Sequence, residues 1–374
     1  MLGRCVSEDG VGADTPWFGQ EELDALAEVI ASGWVGQGPR VARFEHEFAG
    51  LVEAPYAVAT TTGDAAIHLA LLVAGVRPGD DVVVPSLSAI GAANAVRSVA
   101  AMPVLTDVDP LTGNVTAATV EQAVTPRTTA IIVADHAGIP VDLQSIRDVA
   151  DPLGIVVIED VGCGVGATRL GRPTGGAAEI ATWSFDSREP LAMGDGGMLT
   201  TSHAGWAARA RGYRGIEGKF RLTDLHAAVG LVQLGRLPEI VQQRRRVADR
   251  YRAALVGVPG LRPADDPAWG TGNAVSFWLE VDEAYRLDRN RLLGDLTAAG
   301  IASTRGGTAI HRQAPYRAWT PPGGLPGTER FADRTLTLPV SRTLSAHDQD
   351  RIIALLHPDQ SVRTGSETAI ASGH

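Results

Sequence analysis

Lysine is nearly missing from this chain. Of its 33 basic residues, Lys219 is the single lysine, and the rest are arginine. A guanidinium does not deprotonate to a nucleophile, so covalent amine chemistry has one candidate residue in the whole sequence. Cysteine is also scarce. Cys5 and Cys163 cannot form a disulfide framework, and they lack the clustering with histidines that a zinc site needs, so no metal is expected. No apolar run approaches the length of a membrane span, and no basic stretch followed by an apolar core opens the chain. Neither a membrane partner nor a secretory leader is expected, and the cytoplasm is the expected location. Positive charge is in deficit: the formal net charge is -10, which argues against nucleic acid as a partner.

Glycine and apolar residues are plentiful, with 43 glycines and 44% hydrophobic residues in 374. That length suits a large domain plus a smaller one. The expected division is a mobile opening over 1–13, a large domain over 14–255, a small C-terminal domain over 256–360 and a disordered tail over 361–374. The helix beginning near Gln20 places Leu23, Leu26, Ala27 and Ile30 on one face and stops at Gly33. A second helix carries Phe44 and Phe48 one turn apart. Seven short apolar runs then alternate with amphipathic helices: near Tyr56, from Asp81, Pro103, Ala130, Ile155 and Ile180, and from Gly197. This pattern predicts an α/β fold with a mostly parallel seven-stranded sheet covered on both faces. Functional groups should gather at the carboxyl ends of its strands. A long helical segment from Thr223 to about Leu255 contains Pro238, where a break is expected. The remainder alternates strand-like and helical pieces, as a smaller α+β domain would.

Several stretches in order, among them "ASGWVGQGPRVARFEHEFA", "RPGDDVVVPSLSAIGAANAV", "VIEDVGCGVGA", "TWSFDSREPLAMGDGGMLTT" and "STRGGTAIHRQAPY", resemble sugar aminotransferases of the DegT/StrS type. The resemblance runs from about Trp17 to His357. It implies the aspartate-aminotransferase-like fold type I and a homodimer with the active site at the subunit interface. It also implies where pyridoxal phosphate (PLP) contacts would fall. The acid that pairs with the pyridine nitrogen falls on Asp160 and the phosphate-holding serine on Ser184, both retained. The lysine of the covalent link falls on Glu189, a phosphate-binding threonine on Asp64, the stacking ring on Ala89, and a polar residue near the ring hydroxyl on Cys163. An asparagine that reaches in from the neighbouring subunit falls on Lys219.

Glutamate moves protons but forms no covalent link to an aldehyde. Asp64 either caps its helix or repels a phosphate there, and both put a carboxylate in the anion's place. Lys219 either pairs with Asp64 or is a solvated loop residue. The expected pocket gathers Asp64, Asp135, His136, Asp160, Cys163, Ser184, Asp186, Arg188 and Glu189, a set suited to proton transfer. Glu189, Asp64, His136 and Asp160 are the catalytic candidates; Ser184, Asp186, Arg188, Lys219, Arg305 and His311 are the substrate-binding candidates. His68 reads as a packing residue.

The leading expectation is an enzyme without a cofactor that uses the inherited pocket for acid/base work, such as cyclisation, dehydration or isomerisation of a small biosynthetic intermediate. A second reading is an enzyme that binds PLP, or its amine form PMP, non-covalently through Asp160 and Ser184. It would act as a sugar dehydratase or an aminotransferase-like enzyme. A third is a non-catalytic partner subunit of an active homologue.

Overall fold

A computed structural model describes Val11 and residues 15–357. The expected mobile opening, Val11 apart, and the expected disordered tail lie outside the described residues.

All seven apolar runs form strands of one sheet: β1 (Tyr56–Thr60), β2 (Asp81–Pro85), β3 (Met102–Thr106), β4 (Thr128–Ala134), β5 (Val156–Gly162), β6 (Ile180–Ser184) and β7 (Gly197–Thr201). Their order across the sheet is β1-β7-β6-β5-β4-β2-β3. β7 runs antiparallel to β1 and β6, and the other pairings are parallel. Side chains of β2 are buried along its whole length, as a strand covered on both faces requires. Alternate strand residues feed two separate apolar clusters, one on each face: Val83 and Ile131 join the first, Val82 and Val84 the second. Beyond the long helix Asp224–Leu255, a four-stranded antiparallel sheet follows: β8 (Leu261–Pro263), β9 (Phe277–Val281), β10 (Thr304–Arg305) and β11 (Thr335–Leu338), in the order β8-β9-β11-β10. It packs into a third cluster around Tyr251, Leu279 and Leu336.

Helix α1 (Gln20–Ser32) ends at Gly33, whose φ of 75° is the left-handed cap that glycine accepts freely. Its orientation differs from expectation. Leu23 and Ile30 are 61% and 66% exposed, whereas Glu22 and Val29 are buried. Glu22 is buried because Gln233 and Arg236 of the long helix bond its carboxylate and Gly19 donates its amide to it. Such satisfied ion pairing lets an acid take an inward position. In α2 (Pro39–Leu51), Phe44 and Phe48 are both fully buried.

The expected break at Pro238 is absent, and the helix runs from Asp224 to Leu255 through it. Proline removes one backbone hydrogen bond. Here Leu237 and Val241, buried on either side of it, tie both halves to the same core and hold the helix in one piece.

One aromatic group fixes the region that matters. Trp183 and Phe185 flank Ser184, and both meet Phe48 edge-on, at 5.0 and 5.2 Å between centroids; Phe185 meets Phe44 at 5.3 Å. Edge-to-face pairs contribute about 0.5–1.5 kcal/mol each beyond area burial, so the end of β6 is held firmly.

Candidate active site at the strand ends

Parallel register brings Asp160 of β5 opposite Thr182 of β6. Thr182 Oγ1 donates to Asp160 Oδ1 at 3.1 Å. Burial pushes the Asp160 carboxyl up to about 7; the Thr182 bond opposes this and the nearby Asp64 charge adds to it. Two residues along β6, Ser184 meets the start of helix α3 (Gly63–Ala74). A Cβ at residue 63 would stand 2.9 Å from Ser184 Cβ and 3.1 Å from its Oγ, so this approach needs glycine.

The capping role considered for Asp64 belongs to its neighbour. Thr62 is the N-cap of α3, and its hydroxyl accepts from Ala65 N at 3.0 Å. Asp64 instead turns its carboxylate toward the first turn of helix α4 (Ile90–Ser98), where a Cβ on Gly91 would fall 2.0 Å from Oδ1. Asp64 is exposed, yet partial loss of water around its carboxyl, then the charge of Asp195, raises it above its ordinary range.

Glu189 lies in the loop after β6. Its amide donates to Asp186 O at 3.0 Å, and its Oε2 is sealed from solvent with no hydrogen-bond partner among the described residues. Burial and then Asp186 push this carboxyl up to about 8, and Asp160 adds to the rise, while Arg188 and Arg244 oppose it. The Cys163 thiol is pushed up by burial and by the charges of Glu189 and Asp160, which places these three residues in one neighbourhood. Glu189 also borders a small cleft lined by Trp17, Gln233, Arg244 and Arg342 among others. Asp186 and Arg188 pair with each other at 3.1 Å on the exposed side of the loop.

The remaining candidates are dispersed. The His136 ring packs edge-on against Phe331 at 5.0 Å, and burial lowers its pKa to about 4, so it is neutral at working pH. Asp135 bonds Val141 N and faces Glu159 and Arg169, within the sheet's own charge cluster. His311 is buried with Nδ1 2.7 Å from Ser86 Oγ and Nε2 3.4 Å from Glu329. Arg305 is exposed on β10. His68 packs edge-on against Phe220 at 5.5 Å. Lys219 is exposed; its carbonyl accepts from Thr61 Oγ1 at 3.3 Å, and its ammonium lies 5.0 Å from the Phe220 ring centroid. Thr182 escaped the sequence reading. Its position two residues before Ser184, on the same strand face, was the available signal. Asp195, Gly63 and Gly91 were also missed, since their roles arise from contacts between distant segments.

The model of the DegT/DnrJ/EryC1/StrS aminotransferase family matches residues 16–357. A dTDP-4-dehydro-2,3,6-trideoxy-D-glucose 4-aminotransferase of Saccharopolyspora spinosa is 36% identical over 357 residues, covering 88% of this chain and 91% of the relative. The aminotransferase TlmJ of Streptoalloteichus hindustanus superposes with a TM-score of 0.86 at 35% identity, over 93% of this chain and 98% of that one. Spr1654 of Streptococcus pneumoniae, solved in a PLP form, superposes with a TM-score of 0.86 at 25% identity, over 92% and 97%.

These relatives overturn two expectations. Cofactor-independent acid/base catalysis as the leading function gives way to an aminotransferase setting, and the expectation of no cofactor gives way to a pyridoxal-type one. The physical reason lies in what the missing amine decides. It decides a covalent bond; the ring and the phosphate of such a cofactor are held by non-covalent contacts, and an acid, a hydroxyl and a glycine-led helix start stand together here.

Proposed function

Because the chain belongs to the DegT/DnrJ/EryC1/StrS aminotransferase family, we propose that it is a sugar-modifying enzyme that holds PLP or PMP without a covalent bond to residue 189. The observation that carries this reading is the pairing of Asp160 with Thr182 near Glu189, whose Oε2 has no hydrogen-bond partner among the described residues. The donor set fits the ring of such a cofactor: a desolvated acid, oriented by one neutral hydroxyl, gains most from a cationic ring N–H. When bound, the cofactor supplies an electron sink that eases proton removal from the substrate carbon.

The chain's own residues then divide the work. Asp160, oriented by Thr182, would hold the ring nitrogen, and Ser184 with the first amides of α3 would receive the phosphate. Glu189, with its carboxyl pushed up to about 8, holds a proton at neutral pH and gives it to, or takes it from, the reacting carbon. Arg305 is open to an anionic part of the substrate, and His311 fixes its own loop to Ser86. The names of the relatives support a nucleotide-linked deoxysugar as the substrate class. The exposed apolar face of α1, Leu23 and Ile30, with Trp34 beyond its end, supports pairing with a second copy, in which Lys219 would reach the partner's site.

The test is binding. Protein mixed with PMP or PLP and passed through a desalting column should retain an absorbing cofactor that denaturation releases, with or without borohydride. Protein that retains none would refute the reading, and so would a cofactor fixed by borohydride.

A further inference from the structure

Two helix starts converge on one acid. Thr62 already caps α3, so the Asp64 carboxylate is not used as a cap. It lies against the first turn of α4, whose N-cap, Ala89, makes no side-chain cap bond. One residue before it, Gly63 lies against Ser184. The opening amides of both helices have no carbonyl partner within their own helices. They mark the natural seat for a negative group, and Asp64 has put its own negative group there.

Among the described residues, the charges that shift Asp64 or respond to it are acidic. The neighbour that shifts it is Asp195, in the loop before β7, and Asp160 on β5 feels Asp64 in turn; both are acids. The neutral neighbours are Gly91 on α4 and, beside Gly63, Ser184 on β6. Lys219 stands on the loop bonded to Thr61, with its ammonium over Phe220.

We propose that Asp64 controls entry of the cofactor's anionic tail: the phosphate is accepted as Asp64 takes up one proton from solvent and turns from a repelling carboxylate into a hydrogen-bond donor. The proton is released again when the cofactor leaves. This rests on the reading given under Proposed function. The sign follows from linkage. The bound state carries the extra proton, so affinity falls as pH rises, by up to about tenfold per pH unit. A ligand with a hydroxymethyl group in place of the phosphate makes no such demand.

The experiment measures equilibrium binding of PMP and of unphosphorylated pyridoxamine to the full chain at about pH 7 and about pH 9, a window above the phosphate's second ionisation near 6. Wild type is compared with Asp64→Asn and Asp64→Ser, each first shown by thermal melting to be folded. For PMP, the wild-type affinity should fall by up to roughly 100-fold more across this interval than that of either variant, and both variants should bind PMP more tightly at the upper pH. Pyridoxamine should show no such difference between wild type and variants. Calorimetry in two buffers of different ionisation enthalpy should register proton uptake on PMP binding in wild type alone. Equal pH dependence in all three proteins, or weaker PMP binding by both variants, would overturn the role of Asp64 and leave the cofactor reading standing. Failure of every protein to bind either ligand at either pH would remove both.

Discussion

Replacing Glu189 with glutamine should make the apo protein markedly more stable at alkaline pH. The carboxyl is raised from its ordinary 4.5 to about 8, chiefly because burial strips it of water and Asp186 lies close. An acid whose pKa is raised on folding favours the folded state fully below its unfolded pKa, and that advantage is lost as pH rises through the folded value. Each pH unit between the two values is worth about 1.4 kcal/mol, so ionised Glu189 costs about 5 kcal/mol relative to a neutral isostere. Glutamine keeps the shape and removes the ionisation. The assay is denaturant unfolding of wild type and Glu189→Gln at about pH 5 and about pH 9 without cofactor. The two proteins should be close at the lower pH, and the variant should lead by several kcal/mol at the higher one. Asp160, raised to about 7, titrates in both proteins, and relief of its repulsion with Glu189 adds to the advantage of the variant at the higher pH. A gap that changes by less than about 1 kcal/mol between the two pH values would refute the desolvated placement of this carboxyl.

Other perturbations give equally definite outcomes. Glu189→Lys should convert reversible PLP binding into a borohydride-trappable adduct on residue 189, and a variant that binds PLP but never traps would show that this position does not face the aldehyde. Thr182→Val removes the bond to Asp160 Oδ1, so PMP affinity should weaken by about tenfold, with Thr182→Ser restoring it; an unchanged affinity would deny Thr182 its positioning role. If the proposed contact pairs two copies, wild type should sediment as a dimer and Leu23→Glu combined with Ile30→Glu as a monomer, because charge would enter that contact; a double variant that stays dimeric would place the interface elsewhere.

The sheet was readable from sequence because each strand is a run of β-branched and aliphatic residues too short for a helix, closed by glycine, proline or a polar turn. Periodicity in α1 correctly grouped Leu23 with Ile30. It could not say which face meets the core, since that depends on Gln233 and Arg236 more than two hundred residues away capturing Glu22. Pro238 misled for a related reason: a local hydrogen-bond deficit is outweighed by burial of Leu237 and Val241, which no local rule weighs. At the site, the residues named from resemblance did fall partly together, with Asp64, Asp160, Ser184, Cys163 and Glu189 around the ends of β5 and β6. His136 stands apart against Phe331, and His311 is bound to Ser86. Thr182 shares a strand face with Ser184, but its partnership with Asp160 is set by the register between neighbouring parallel strands, which one strand's sequence does not encode. The expectation of a cofactor-free enzyme failed because it let the lost amine stand for the entire binding site.

The most direct test is a crystal structure of the protein soaked with PMP. The account predicts electron density for the ring with its nitrogen against Asp160, its phosphate between Ser184 and the start of α3, and a gap between the ligand and Glu189. An empty pocket at saturating PMP, or a ring seated away from Asp160, would contradict it.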